Sequence, residues 1–304
     1  MTRLIRIAPF VEAALRDHRP VVALETTVVT HGLPEPQGFE LAGALEAEII
    51  RHGAVPATIG VLKGCVRVGL SRDELSELAH APEVAKLNLS NLGAQLAEGG
   101  PGSTTVAATM FIAARCGIQV FATGGIGGVH RGESETGDVS ADLTALAHHP
   151  VAVVCAGAKA VLDLPRTVEA LETLGVPILG FGTAEFPAFW RRSSGLPVDR
   201  RYDELAPLAR AIRAHWELGA TSGVVVANPI PEADEMDAAL YETALNQALS
   251  DARQRQSSGR DVTPFLLDRM RELTGGASVQ SNLALLVNNA RVAAELAAAI
   301  EAVR

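Results

Sequence analysis

Short, uninterrupted apolar runs alternate along this chain with longer segments whose apolar residues recur at helical spacing. The runs Val21–Leu24, 57–62, 118–122, 151–155, 176–181 and 223–227 are short and rich in β-branched residues, and most are uninterrupted apolar runs, the pattern of strands covered on both faces. Residues 61–69 have the form of a hairpin turning near Lys63 and Gly64, so one antiparallel pair is expected in an otherwise parallel sheet. Helices are predicted between the runs, at 37–52 behind Pro34-Glu-Pro36, at 104–116, and at Ala141–His148 with Ser140 as N-cap. Two more are predicted at 265–274, with Thr263 as cap and Pro264 at the first helical position, and at about 279–303. The alternation predicts an α/β fold, three-layer α/β/α with a mixed, mostly parallel central sheet. The two weakest points, 193–197 and 256–259, are too short to link domains, so residues 1–304 are expected to form a single domain.

Composition narrows the function. A net charge of −9 leaves no basic stripe to neutralise phosphates, and 4% aromatic residues offer no stacking platform, so no nucleic-acid partner is expected. Cys65, Cys116 and Cys155 are odd in number and lack metal-ligand spacing, which fits a reducing cytoplasm. The N-terminal residues lack an export signal, and no window offers the roughly 20 apolar residues of a membrane span. A cytoplasmic protein is expected.

Candidate chemistry is concentrated in about forty residues. Phe121-Ala-Thr-Gly-Gly-Ile-Gly-Gly-Val-His-Arg-Gly132 opens from an apolar run into a glycine loop, where backbone N–H groups can converge on an anion. Its spacing is not that of the dinucleotide-binding fingerprint, so phosphate binding and simple turn-making both remain open. His130, Asp138, Ser140 and Asp142 follow. Ser140 and Asp142 fit helix capping as well as contact with a polar substrate, whereas Asp138 has the chemistry to hold a hard divalent cation. Lys159 ends Val154-Cys-Ala-Gly-Ala-Lys159 and precedes another apolar stretch. Most lysines lie on solvated faces, but apolar surroundings favour a neutral, nucleophilic amine of the kind Schiff-base chemistry needs. Glu25 ends an apolar run, so it is either a satisfied structural carboxylate or a functional acid. Lys86 reads as a surface residue on its own. Asn282, Asn288 and Asn289 on the last helix fit either buried hydrogen-bond glue or substrate contact.

Taken in order, several motifs resemble one family. They are Leu24-Glu-Thr-Thr-Val-Val-Thr-His-Gly-Leu-Pro34, Gly53-Ala-Val-Pro-Ala-Thr-Ile59, Ser103-Thr-Thr-Val-Ala-Ala-Thr-Met110, the glycine loop, Val154–Lys159, Ala227-Asn-Pro-Ile-Pro231 and Thr263-Pro-Phe-Leu-Leu267. Together they resemble the pseudouridine-5′-phosphate glycosidase, or indigoidine synthase A-like, family. The resemblance implies cleavage of the C–C glycosidic bond of pseudouridine 5′-phosphate to uracil and ribose 5-phosphate, with a divalent metal, typically Mn2+, or Mg2+ in its place. It implies Lys159 as the Schiff-base nucleophile, Glu25 as proton donor and Asp138 as metal ligand. Lys86, Val106, Ser140, Ala141 and Asp142 become substrate contacts, with Thr105, Thr123, Gly124, Gly125, His130 and Asn289 as further candidates. A homotrimer is implied as well, which a closing helix rich in Ala and Leu would suit. The run after Lys86, Leu-Asn-Leu-Ser-Asn91, departs from the charged run common in relatives. Two alternatives use much the same parts: a Schiff-base aldolase or lyase on another sugar phosphate, and a non-catalytic phosphosugar-binding protein.

Overall fold

The computed structural model describes residues 4–33, 36–255 and 262–303. Its strands are β1 (Ile5–Ile7), β2 (Val21–Leu24), β3 (Val55–Leu62), β4 (Cys65–Val68), β5 (Ala85–Leu87), β6 (Gly102–Thr104), β7 (Val120–Ala122), β8 (Ala152–Cys155), β9 (Ile178–Phe181), β10 (Arg200–Tyr202) and β11 (Val224–Ala227). They form one eleven-stranded sheet in the order β1-β4-β3-β2-β7-β8-β11-β9-β10, with β6 beside β3 and β5 beside β6. Only β3 with β4 and β3 with β6 run antiparallel. The expected hairpin is the first of these, and Lys63 (φ 52°) and Gly64 (φ 69°) make its two-residue turn.

All six expected strands are present, and most begin later than the apolar run does. The reason recurs: the N–H of Ile118 is taken by the Ala113 carbonyl, and that of Val176 by the Leu171 carbonyl, so these residues close the preceding helix before pairing starts. The strands β1, β5, β6 and β10 were not expected. Each has three residues, too few to display a period.

Helices cover both faces. Gln37–Arg51, Leu205–Glu217 and Ala277–Ala302 pack on one another against one face. Val106–Cys116, Ala141–His148 and Leu164–Thr173 occupy the other, as right-handed crossovers from these strands require. The helix expected at 104–116 starts at Val106 because 102–104 pair as β6 and Thr105 Oγ1 caps the first turn, accepting from Ala108 N. The helix expected at 265–274 runs Val262–Leu273, starting before Thr263. The candidate breakpoint at 256–259 lies outside the described residues.

The helix Ala277–Ala302 is long and apolar enough to cross a membrane by length and composition, contrary to the sequence expectation. In the fold it packs across β2, β7 and β8 and buries Ser278, Ser281 and Asn289 along with its apolar stripe. Its apolar content is used inside the subunit, so it does not argue for a trimer. One cluster of buried apolar side chains runs from Val11 to Ile300.

At the middle of β3, Ile59 is fully buried, and its carbonyl accepts from the hydroxyls of Thr26 and Thr104. Ile59→Ala is expected to lower the unfolding free energy by about 2–5 kcal/mol, the range for deleting a large core side chain, read from urea denaturation.

Candidate active site

The carboxyl ends of β2, β7 and β8 lie side by side, the usual place for a ligand in a parallel sheet. Leu24 pairs with Ala122, and Ala122 with Val154, so the residues that follow, Glu25, Thr123 and Cys155, emerge at one level. Lys159 comes four residues later, after a turn in which Gly157 (φ 80°) passes so close to Pro187 that a Cβ would stand 2.0 Å from its carbonyl oxygen.

Two adjoining cavities open here. The larger, of about 290 Å³, is lined by Glu25, Lys86, Thr105, Val106, His130, Asp138, Ser140, Ala141, Asp142 and Lys159, which are ten of the expected site residues. The smaller, of about 60 Å³, is lined by Thr123, Gly124 and Gly125. Glu25, Thr27, Lys86 and Lys159 line both. Lys159 is half-buried at this shared wall, between the buried Ala158 and Ala160.

The Glu25 carboxyl is held by the buried Thr123 hydroxyl, which donates to Oε1 at 2.5 Å. Desolvation raises its pKa above the ordinary carboxyl value, and the nearby charge of Lys159 and the Thr123 hydrogen bond oppose this only in part. The acid is therefore biased towards its protonated form.

Asp142 works differently. Its buried carboxylate accepts from Ala107 N at 2.9 Å through Oδ1 and from Gly127 N at 2.8 Å through Oδ2. It thus ties the start of helix Val106–Cys116 to the glycine loop while its own helix begins at Ser140, whose Oγ accepts from Asp142 N. Two helix N-termini, at Thr105–Val106 and Ser140–Ala141, line the same cavity as Lys86 and Lys159, a combination suited to a phosphate. Part of the glycine loop is turned inward. Its Ile126, Gly127, Val129 and His130 N–H groups all bond within the protein. Its glycines allow close packing: a Cβ on Gly127 would stand 2.1 Å from Ser140 Oγ.

His130 lies beside Asp138, with Nδ1 3.8 Å from Oδ2, and burial lowers its pKa. Asn289 lines neither cavity. It is fully buried and donates to the Thr123 carbonyl at 2.8 Å, while Asn228 Nδ2 donates to its Oδ1 at 2.8 Å. It is hydrogen-bond glue holding the Thr123 segment, and Asn288 likewise donates to the Pro229 carbonyl. Asn282, by contrast, faces the smaller cavity.

Thr27 and Asn88 also line the larger cavity and were not anticipated. Thr27 Oγ1 donates to the Thr104 carbonyl, which fastens the end of β2 to β6. In the atypical run after Lys86, Asn91 Oδ1 accepts from Asn88 N and Asn91 Nδ2 donates to the Lys86 carbonyl. This asparagine pair orients the Lys86 strand in place of a charged run.

A glycine-shaped α/β site with an acid and a lysine on one wall defines an enzyme-like pocket for a small anionic ligand, and the comparisons agree in class. Residues 10–299 match the family described as indigoidine synthase A like protein, and the chain belongs to that family. It is 53% identical over 301 residues to the pseudouridine-5′-phosphate glycosidase of Methylobacterium nodulans, covering 99% of this chain and 89% of that one. With the enzyme of the same name from Caldanaerobacter subterraneus subsp. tengcongensis it shares 50% identity over 297 residues, 98% of this chain and 97% of the relative. Among solved structures, the prealnumycin C-glycosynthase AlnA, in complex with ribulose 5-phosphate, superposes with a TM-score of 0.93 at 40% identity, covering 100% of this chain and 99% of that one. The indigoidine synthase A-like protein of Thermotoga maritima gives 0.89 at 35%, covering 98% and 97%.

Asn289→Ala should leave the Thr123 carbonyl and the Asn228 amide without their partner and destabilise the fold by about 1–3 kcal/mol, the penalty for orphaned buried groups, measured by chemical denaturation.

Proposed function

We propose that this protein is a pseudouridine-5′-phosphate glycosidase that cleaves the C–C glycosidic bond to uracil and ribose 5-phosphate through a Schiff base on Lys159. The observation that carries the reading is the shared wall: Glu25 and Lys159 both face a larger polar cavity and a smaller one. The names of the relatives and the ribulose 5-phosphate bound by the solved relative support the same class of substrate.

The ribose 5-phosphate half occupies the larger cavity, its phosphate at the two helix N-termini with Lys86 adding charge. The base occupies the smaller cavity, beside Asn282 and the Thr123 segment. The O4′–C1′ bond opens and Lys159 Nζ bonds to C1′. Glu25 then delivers a proton to uracil C5. The C5–C1′ electron pair returns to the ring as the C5=C6 bond, and C1′ is left as an iminium on the lysine nitrogen. Water attacks that carbon with the Glu25 carboxylate as base, which releases ribose 5-phosphate and restores the lysine. An aldolase would share the lysine but has no need of a separate compartment for a planar leaving group.

For a divalent ion, the donor set is thin. Among the described residues no group of three or more His, Cys, Asp and Glu side chains gathers to hold a metal. Asp138 lines the larger cavity beside His130. One carboxylate with water in the other positions is adequate for a hard ion, so Asp138 fits a hydrated Mn2+ or Mg2+. Such an ion supplies positive charge facing the sugar phosphate. The three free cysteines support a cytoplasmic setting, and a homotrimer rests on the family resemblance.

Borohydride with ribose 5-phosphate should add a reduced pentose phosphate to the peptide carrying Lys159, and Lys159→Ala should lose the adduct while remaining folded. An adduct on another lysine overturns the assignment. Because Glu25 donates from its protonated form, turnover should fall as pH rises through its elevated pKa. Glu25→Gln should release uracil roughly 10²-fold more slowly, the usual scale for a general acid, and should lose that limb of the pH profile. Asp138→Ala should abolish Mn2+ binding in calorimetric titration, and unchanged binding would remove Asp138 as the ligand.

A further inference from the structure

A third cavity, of about 260 Å³, adjoins the smaller one. The two share His31, Gly32, Pro264, Leu267 and Asn282, whereas neither Glu25 nor Lys159 lines the third. The three cavities therefore run in series: the first meets the second at Glu25 and Lys159, and the second meets the third at Asn282 and Leu267. Trp190 lines the third cavity at 2% exposure, and its Nε1–H has no hydrogen-bond partner among the described residues. A buried indole N–H normally finds an acceptor, and this one, itself covered, lacks one. Ser278, 2% exposed, adds a second polar side chain to the same wall.

We propose that this third compartment receives a substituent carried on the far edge of the base, so that the enzyme also cleaves pseudouridine 5′-phosphates alkylated at a ring nitrogen. The inference rests on the proposed function, which sets C5 of the base against Glu25 and Lys159. N1, C2 and N3 then point away from that wall, towards Asn282 and the third cavity. C2 carries an oxygen, so N1 and N3 are the positions on that edge that bear a substituent. Alkylation at N1 leaves its lone pair able to stabilise positive charge at C6 when C5 is protonated, so the chemistry at C1′ is unchanged.

The test compares unmodified pseudouridine 5′-phosphate with its N1- and N3-methyl and carboxamidomethyl derivatives, following release of the free base by chromatography. At least one regioisomer should be cleaved with kcat/KM within about tenfold of the unmodified substrate. Val279 lines the third cavity and neither of the others. Val279→Trp should fill the space and lower kcat/KM about tenfold or more for the alkylated substrates alone, the scale on which a pocket excludes added carbon. If the unmodified substrate is cleaved and neither regioisomer is, the inference fails while the functional reading stands. A parallel loss for all substrates in Val279→Trp also overturns it. If the unmodified substrate is not cleaved, both fall together.

Discussion

The parallel register between β2 and β7 is the constraint on which the rest of the site depends. Because Leu24 lies opposite Ala122, Glu25 and Thr123 leave the sheet together and their side chains meet. A slip of one residue would turn Glu25 to the other face of the sheet. The buried threonines around it make such a slip costly. Thr26 donates to the Ile59 carbonyl and accepts from Thr104 N, while Thr27 donates to the Thr104 carbonyl, so the end of β2 is fastened to β3 and β6 at once. An acid whose ionised form is disfavoured by desolvation is thereby held in one orientation by neutral hydroxyls.

The second organising device is electrostatic. Asp142 places a negative group at the start of helix Val106–Cys116 and in the first turn of its own helix, where macrodipoles favour it. In doing so it draws two helix ends and the glycine loop to one point. The loop's glycines then serve packing: a side chain at 127 would collide with Ser140. The carboxylate and the glycines are two halves of one close approach.

The sheet and its main helices were legible because fully covered parallel strands leave unbroken apolar runs. Three-residue strands such as β5 leave no such trace, and β5 carries Lys86. Glu25 and Lys159 stood out as polar groups beside apolar segments, and Asp138 and Asp142 as carboxylates clustered behind the glycine loop. Thr27 and Asn88 did not, because a threonine among threonines and an asparagine in a polar turn look ordinary. The role of the glycine loop stayed open for a related reason. Glycine density records that backbone must come close to something, but not whether that something is a ligand or the protein itself. Likewise Asn289 and Asn282 occupy one helix and look alike in sequence, and only the angle around the helix separates a buried brace from a cavity wall.

The helix Ala277–Ala302 lies behind every strand in the chain and yet rests on β2, β7 and β8, the three strands that carry the site. During synthesis these strands emerge long before their cover. The sheet face beneath stays without its partner until that helix has been made. The wall shared by Glu25 and Lys159 is therefore completed late, and a chain released before that helix would present an apolar sheet to its neighbours in place of a finished pocket.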